Sequence, residues 1–336
     1  MKIETDFLII GAGQAGLAIA YFLQQKNKKF LLVDKNNRIG DSWRNRYDSL
    51  LLFTPRIDDC LPGLVMSGDP ERCPTKDELS NYLEKYAAHY KFPVKINTNI
   101  EKLSKEDNLF IAEASSVIIK AKNVIVATGA FQKPFIPVSY NLPSTIFQVH
   151  SADYRNPHQI PQRSVLIVGG GHSGIQIAAE LSSTHKVTMV TKRKMIFSNK
   201  YDIFYMLLSK IISTETIHRL VDFAGIRKIY TPEIVSLINE GKVHVKKKID
   251  KVEGNNVYFS DGTNSNYDNV IWATGFIFDY NWIQIPQVFD KNGNINEKNG
   301  VANVKGLYFV YPKIDYGFIK DLVPKAEKLV NNMLES

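Results

Sequence analysis

Phe7-Leu8-Ile9-Ile10-Gly11-Ala12-Gly13-Gln14-Ala15-Gly16 runs from an apolar, strand-forming tetrad straight into a glycine hexad, and an Ala/Leu/Ile-rich stretch follows. In such a hexad the first glycine permits the tight turn from strand to helix. The second lets a pyrophosphate approach the backbone, and the third lets helix and strand pack closely, with the phosphates resting on the helix N-terminus. One hexad alone is weak evidence. The pattern recurs at Gly169-Gly170-Gly171-His172-Ser173-Gly174, again closing an apolar run, so the chain is predicted to hold two dinucleotides and to move electrons between them.

The residue that closes the following strand meets the adenosine ribose, and here the two copies differ. After the first hexad, Phe30-Leu31-Leu32-Val33 ends at Asp34, a carboxylate that accepts hydrogen bonds from ribose hydroxyls and repels a 2′-phosphate. That suits FAD or NAD(H). After the second, Val187-Thr188-Met189-Val190 runs into Thr191-Lys192-Arg193-Lys194, with no acid and three cations able to meet a 2′-phosphate. That favours NADPH, with NADH the alternative if the cations are only a solvated loop.

Composition narrows the class. The chain has 336 residues, 44% of them hydrophobic and 23% charged, which describes a globular protein long enough for two domains. Lys+Arg of 42 against Asp+Glu of 34 leaves a formal net charge of +8. The one dense basic run, Lys246-Lys247-Lys248, reads as a solvated face rather than a nucleic-acid stripe. Two cysteines, Cys60 and Cys73, lack dithiol spacing and suit a reducing compartment, and no His, Cys or carboxylate spacing makes a metal site. The N-terminus enters a strand without a signal-like segment, and no membrane span is legible, so a cytoplasmic location is expected.

Along the chain, a helix is expected over Ala15 to Gln25 and another over Asp77 to Ala88, with ordered loops between Gly40 and Pro74. Leu103 to Lys120 alternates as a hairpin before the buried strand Asn123-Val124-Ile125-Val126. That strand ends at Ala127-Thr128-Gly129, and a near copy, Ala273-Thr274-Gly275, ends the segment after the second hexad, which suggests two copies of one unit. Residues 200–230 interrupt the second copy with an apolar, aromatic insertion expected to pack on its own domain. Gly306 to Val310 reads as a last strand and Phe318 to Leu334 as a terminal helix. The predicted fold is therefore α/β with two Rossmann-like domains. The first comprises 1–155 and 276–336, and the second, 156–275, is inserted into it.

The sequence Gly11 to Gly16, Asp34, Gly40-Asp41-Ser42-Trp43, Tyr47-Asp48-Ser49-Leu50 and Phe53-Thr54-Pro55 resembles the class B flavoprotein monooxygenases, and in particular their short bacterial CzcO-like members. The likeness continues through His150-Ser151-Ala152-Asp153-Tyr154-Arg155-Asn156-Pro157 and through Ala273-Thr274-Gly275-Phe276 with Asp279-Tyr280-Asn281-Trp282, covering nearly the whole chain. The resemblance implies the glutathione/thioredoxin reductase-like arrangement, with FAD held by Gly11, Gly13, Gln14, Ala15, Gly16, Asp34, Lys35, Gly40, Ser42, Trp43, Thr54, Thr128 and Gly129. NADPH would be held by Gly169, Gly171, His172, Ser173, Gly174, Thr191, Lys192, Arg193, Ala273, Thr274 and Gly275. Gly317 and Phe318 would begin a helix aimed at the flavin pyrimidine. Trp43, walling the flavin, and His150, near the nicotinamide, are the catalytic candidates, and Asp58 and Asp59 are further candidates on the substrate side.

The resemblance further implies that NADPH reduces FAD and that the reduced flavin and dioxygen form a C4a-peroxyflavin. This then oxygenates a soft nitrogen or sulfur nucleophile in a small-molecule substrate, an N,N-dimethylaniline-type activity. Three departures bear on that activity. The monooxygenase fingerprint Phe-x-Gly-x-x-x-His-x-x-x-Tyr/Trp keeps the spacing of His150 and Tyr154, but Phe147 is followed by Gln148 with no glycine in the expected place. Tyr154 stands where Baeyer–Villiger enzymes carry Trp-Pro. Leu51 occupies a position that is arginine in the family. An NAD(P)H oxidase or reductase without oxygen transfer, and a flavoprotein linked to metal-ion homeostasis, therefore stay open as alternatives. So does the oligomeric state, a homodimer being one arrangement.

Overall fold

The computed structural model describes residues 1–138, 140, 142–161, 164–191, 194–197, 226–229, 233–310 and 319–335. The chain divides into two compact units: residues 1–45, 54–133 and 277–336 form one, and residues 46–53 and 134–276 the other.

In the first unit, β1 (Lys2–Ile10) leads through the glycine loop into α1 (Gln14–Gln25) and back along β2 (Phe30–Val33). After a short helix α2 (Asp41–Arg44) and a 3-10 turn at Arg56–Asp59 comes α3 (Lys76–His89), whose Thr75 and Glu78 form a reciprocal capping box. Strands β3 (Val94–Lys95), β4 (Lys102–Glu106), β5 (Leu109–Ala114) and β6 (Val117–Val126) follow. β1 lies between β2 and β6 and pairs in parallel with both. Leu307–Phe309 adds in parallel beyond β6, and the terminal helix covers Ile319–Glu335. Leu17, Ile19 and Leu23 of α1 and Ile9 of β1 are fully buried, and Leu8 is buried on the other face of the sheet with Ile10, Phe110 and Val124. Each such side chain contributes on the order of 1.5–3 kcal/mol, so the loop between β1 and α1 rests on a firm base.

The sequence separates a hairpin ending at Lys120 from a strand beginning at Asn123. The structure joins them: β6 is a single strand of 10 residues that lies parallel to β1 along nearly all its length, while its other edge pairs antiparallel with β5 over the first half and in parallel with Leu307–Phe309 near the end. The alternation ends where both faces become covered, and only the pattern changes there.

The second unit repeats the plan. Its main sheet has five strands in the order Val243–Lys246, Lys186–Val190, Ser164–Val168, Asn269–Trp272 and Phe147–His150, all pairs parallel, and Ile249–Glu253, Asn256–Phe259 and Asn264–Asn266 form a separate antiparallel sheet. The glycine loop after Ser164–Val168 opens α4 (His172–Leu181). The sequence assigns residues 134–155 to the first domain, but in the structure they cluster with the second unit, because Phe147–His150 completes its sheet. Of the expected insertion at 200–230, only the strand Ile226–Ile229, paired in parallel with Lys194–Phe197, lies within the described residues. No described helix is long and apolar enough to cross a membrane, and no group of three or more potential metal ligands occurs among the described residues.

Candidate nucleotide-binding sites

The two glycine loops are superimposable in their bonding. In the first, the Gly11 N–H donates to the Val33 carbonyl (2.8 Å) and the Ala127 N–H to the Ile10 carbonyl (2.8 Å). In the second, the Gly169 N–H donates to Val190 (2.9 Å) and the Ala273 N–H to Val168 (2.9 Å). Each hexad strand thus sits between the strand carrying the ribose-facing residue and the strand ending in Ala-Thr-Gly. That is the crevice at a topological switch point where doubly wound sheets bind ligands.

Gly11 and Gly169 turn with φ of +108° and +123°, and a Cβ on either would stand 2.4 Å from the Ala127 carbonyl oxygen or 2.2 Å from that of Ala273. Gly16 and Gly174 are close-approach positions, where a Cβ would lie 1.9 Å from the Gly11 oxygen and 2.1 Å from the Gly169 oxygen. Gly13 and Gly171 are the N-caps of α1 and α4 and offer no side-chain cap. Nothing lies within 4 Å of a Cβ built on Gly13. Neither helix has an acidic residue in its first turn. The N–H groups of Gln14, Ala15 and Gly16, and of His172, Ser173 and Gly174, therefore face an open, positively polarised end that suits a pyrophosphate. Both loops fit a dinucleotide.

At the first loop Asp34 is held in place. Its Oδ2 accepts from the Ala12 N–H (2.7 Å), and its Oδ1 from the Asn36 N–H and Nδ2 (2.9 Å each). Lys35 beside it is exposed. Trp43 joins this site because its indole Nε1 donates to Gln14 Oε1 at the start of α1 (3.1 Å). Gly40, the N-cap of α2, packs against the backbone of Ser80, and Ser42 is exposed on α2. Thr54 is engaged elsewhere: its hydroxyl donates to the buried Asp59 carboxylate, 2.8 Å from each oxygen. Asp58 pairs with Lys320 (3.0 Å). Thr128 and Gly129 are bridged by Gln132, whose Nε2 donates to the Thr128 hydroxyl (3.0 Å) and the Gly129 carbonyl (2.9 Å). Its Oε1 accepts from the Asp279 N–H (2.7 Å). No sequence signal points to Gln132, since the bridge depends on a return segment nearly 150 residues later.

At the second loop the His172 ring stacks on Phe53, centroids 4.2 Å apart and planes 13° apart, so its backbone rather than its imidazole faces the ligand side. The Thr274 hydroxyl donates to the Phe135 carbonyl. The Thr191 N–H bonds the Lys246 carbonyl (3.0 Å) where the ribose-facing strand ends. Lys246 itself pairs with Asp261 (2.9 Å). Lys192, Arg193, Gly317 and Phe318 lie outside the described residues.

His150 is 3% exposed and has both ring nitrogens committed. Nδ1 accepts from the Ala152 N–H (3.0 Å), so Nε2 carries the proton and donates to the Gly275 carbonyl (3.0 Å). Burial pushes its pKa below 6.5, a shift the Gly275 bond partly offsets. The ring braces the turn that follows the second Ala-Thr-Gly. The unfolded histidine binds a proton near pH 6.5 and the folded one only at lower pH. The contribution of His150 is therefore present above that value and is lost as pH falls through the folded value. His150→Gln is expected to cost about 1–3 kcal/mol at neutral pH and to flatten the loss of stability between about pH 7 and pH 5. Urea unfolding at the two pH values measures both; an unchanged pH slope would remove His150 from the acid response.

The sequence pattern of the pyridine nucleotide-disulphide oxidoreductases matches residues 8–310. The chain belongs to that family. It is 42% identical, over 99% of both chains, to an oxidoreductase described as CzcO-like from Geobacillus kaustophilus. It is 25% identical to the probable indole-3-pyruvate monooxygenase YUCCA4 of Arabidopsis thaliana, over 90% of this chain and 84% of that one. A solved flavin-containing monooxygenase from Stenotrophomonas maltophilia has the same fold, with a TM-score of 0.83 over 99% of both chains at 23% identity. This member of the family is an enzyme, a flavin-dependent oxidoreductase, and membership implies a flavin and a nicotinamide nucleotide as its cofactors.

Proposed function

We propose that the chain is an FAD- and NADPH-dependent monooxygenase that transfers one atom of dioxygen to a soft nitrogen or sulfur nucleophile. The observation that carries this reading is the pair of matched phosphate cradles with unlike ribose ends: a fixed carboxylate, Asp34, at one and a threonine followed by cations in the sequence at the other. Bound flavin would supply the oxygen-activating chemistry after accepting hydride from the nicotinamide.

The chain's own residues bind and orient. The first turns of α1 and α4 would hold the two pyrophosphates, Asp34 the unphosphorylated ribose, and Lys192 and Arg193 the 2′-phosphate. Trp43, fixed through Gln14, would form one wall of the flavin site. His150 and the turn Ala273-Thr274-Gly275 would shape the nicotinamide end. Electron delivery to a protein dithiol is a poor match, since the two cysteines in the sequence, Cys60 and Cys73, stand 13 residues apart and lack dithiol spacing. The likeness to the probable indole-3-pyruvate monooxygenase YUCCA4 also supports oxygenation over simple reduction.

The test is to mix the NADPH-reduced enzyme with oxygen in the absence of substrate. A spectral species distinct from both reduced and oxidised flavin, with delayed release of peroxide, is expected. Immediate return to the oxidised spectrum with stoichiometric hydrogen peroxide would overturn the proposal in favour of an oxidase.

A further inference from the structure

Arg46 is not one of the residues that the glycine motifs or the ribose-facing positions single out, yet within the second unit it stands at the mouth of the second cradle. Its side chain is buried, 9% exposed, and its Nη2 donates to the hydroxyl of Ser173 in the first turn of α4 (3.3 Å). The guanidinium lies over the Phe276 ring, 5.6 Å from its centroid, next to the turn Ala273-Thr274-Gly275. The segment that carries it is pinned to the same helix. The Tyr47 hydroxyl donates to Gln176 Oε1 (2.8 Å), and Gln176 Nε2 donates to the Leu51 carbonyl (2.9 Å).

This placement is electrostatically awkward for the protein by itself. A helix N-terminus carries positive potential and disfavours a nearby cation. Burial disfavours the guanidinium charge as well, and the neighbouring Arg155 adds to the effect. A sequence that puts a buried arginine at the positive end of a helix gains from an anion arriving there, because a fixed guanidinium and converging N–H groups then bond the same oxygens.

We infer that Arg46 is a binding residue for the pyrophosphate of the nicotinamide nucleotide, acting together with the first turn of α4. The inference rests on the proposal that the second unit binds such a nucleotide, but it does not depend on which one, nor on oxygen transfer. It makes the residue indifferent to the 2′-phosphate: Arg46 favours NADPH and NADH alike, and the choice between them is made elsewhere.

The experiment titrates the flavin-loaded oxidised enzyme with NADP+, NAD+ and 2′-AMP, the last lacking a pyrophosphate, following protein fluorescence. Arg46→Gln is expected to weaken NADP+ and NAD+ by about tenfold each, the scale of one charge-assisted hydrogen bond, while leaving 2′-AMP and flavin content unchanged. Arg46→Lys, which keeps the charge without the fork, should fall between. In the wild type, NADP+ affinity should drop with added salt more steeply than in Arg46→Gln. Equal affinity of Arg46→Gln and wild type for NADP+ would overturn the inference, as would a parallel loss of 2′-AMP, which would mark a structural role. If Arg46→Gln does not fold, wild-type affinity for NADP+ in Arg46→Lys with an unchanged salt slope would overturn it instead. Failure of wild-type enzyme to bind any of the three probes would instead remove the underlying assignment of the second unit.

Discussion

Gly16→Ala is expected to yield a protein that purifies without flavin. The new methyl group would stand 1.9 Å from the Gly11 carbonyl oxygen and 3.3 Å from the Ile9 side chain. Backbone cannot swing aside as a flexible side chain can, so the conflict exceeds the ~1–3 kcal/mol typical of overpacking, and α1 must lift away from β1. Lifting displaces the N–H groups of Gln14 and Ala15 from the open end of the helix, and it disturbs the Trp43–Gln14 bond. Affinity for flavin should fall at least about tenfold, or about 1.4 kcal/mol. The amount of flavin released per chain on denaturation is the measurement. A variant as yellow as wild type would mean that the first loop is not the flavin cradle.

Gly174→Ala is the matched experiment on the other copy. Its Cβ would meet the Gly169 oxygen at 2.1 Å and the Ala273 Cβ at 3.2 Å, so α4 must separate from Ser164–Val168. Here flavin should stay bound, because the first loop is untouched, while reduction by NADPH should slow by at least about tenfold through lost nucleotide affinity. Dithionite should still bleach the flavin at the wild-type rate, which separates loss of the nucleotide site from damage to the flavin. If NADPH bleaches the variant as fast as wild type, the nicotinamide nucleotide does not sit on α4. Loss of flavin from Gly174→Ala alone would show that the copies exchange roles.

The phosphate loops were legible because each residue there answers to one local constraint. Gly11 and Gly16 have no freedom to be anything else, and the helices begin at Gln14 and His172, immediately after the glycines that cap them. Asp34 was legible for the same reason, as the residue that directly follows a short buried strand. What escaped depends on partners far along the chain. Gln132 acquires its role only by meeting Asp279, and Arg46 only by meeting Ser173. Thr54 sits in a family-like motif, Phe53-Thr54-Pro55, but a buried carboxylate needs donors, and Asp59 takes its hydroxyl. The split of β6 into two predicted pieces has a similar origin, since periodicity reports which faces are covered, not where hydrogen bonding stops.

The eight-residue loan of 46–53 to the second unit bears on how this protein can be taken apart. A fragment cut at 134 and 276 looks like a free-standing nucleotide-binding module, but it would lack the strap that occupies Gln176 and reaches Ser173. Phe53, the stacking platform of His172, would go with it. Engineers who wish to transplant the module, or to swap it for one with another coenzyme preference, must carry both stretches. A graft made at the two obvious seams alone would leave a polar, unlined groove along α4 where the missing peptide belongs.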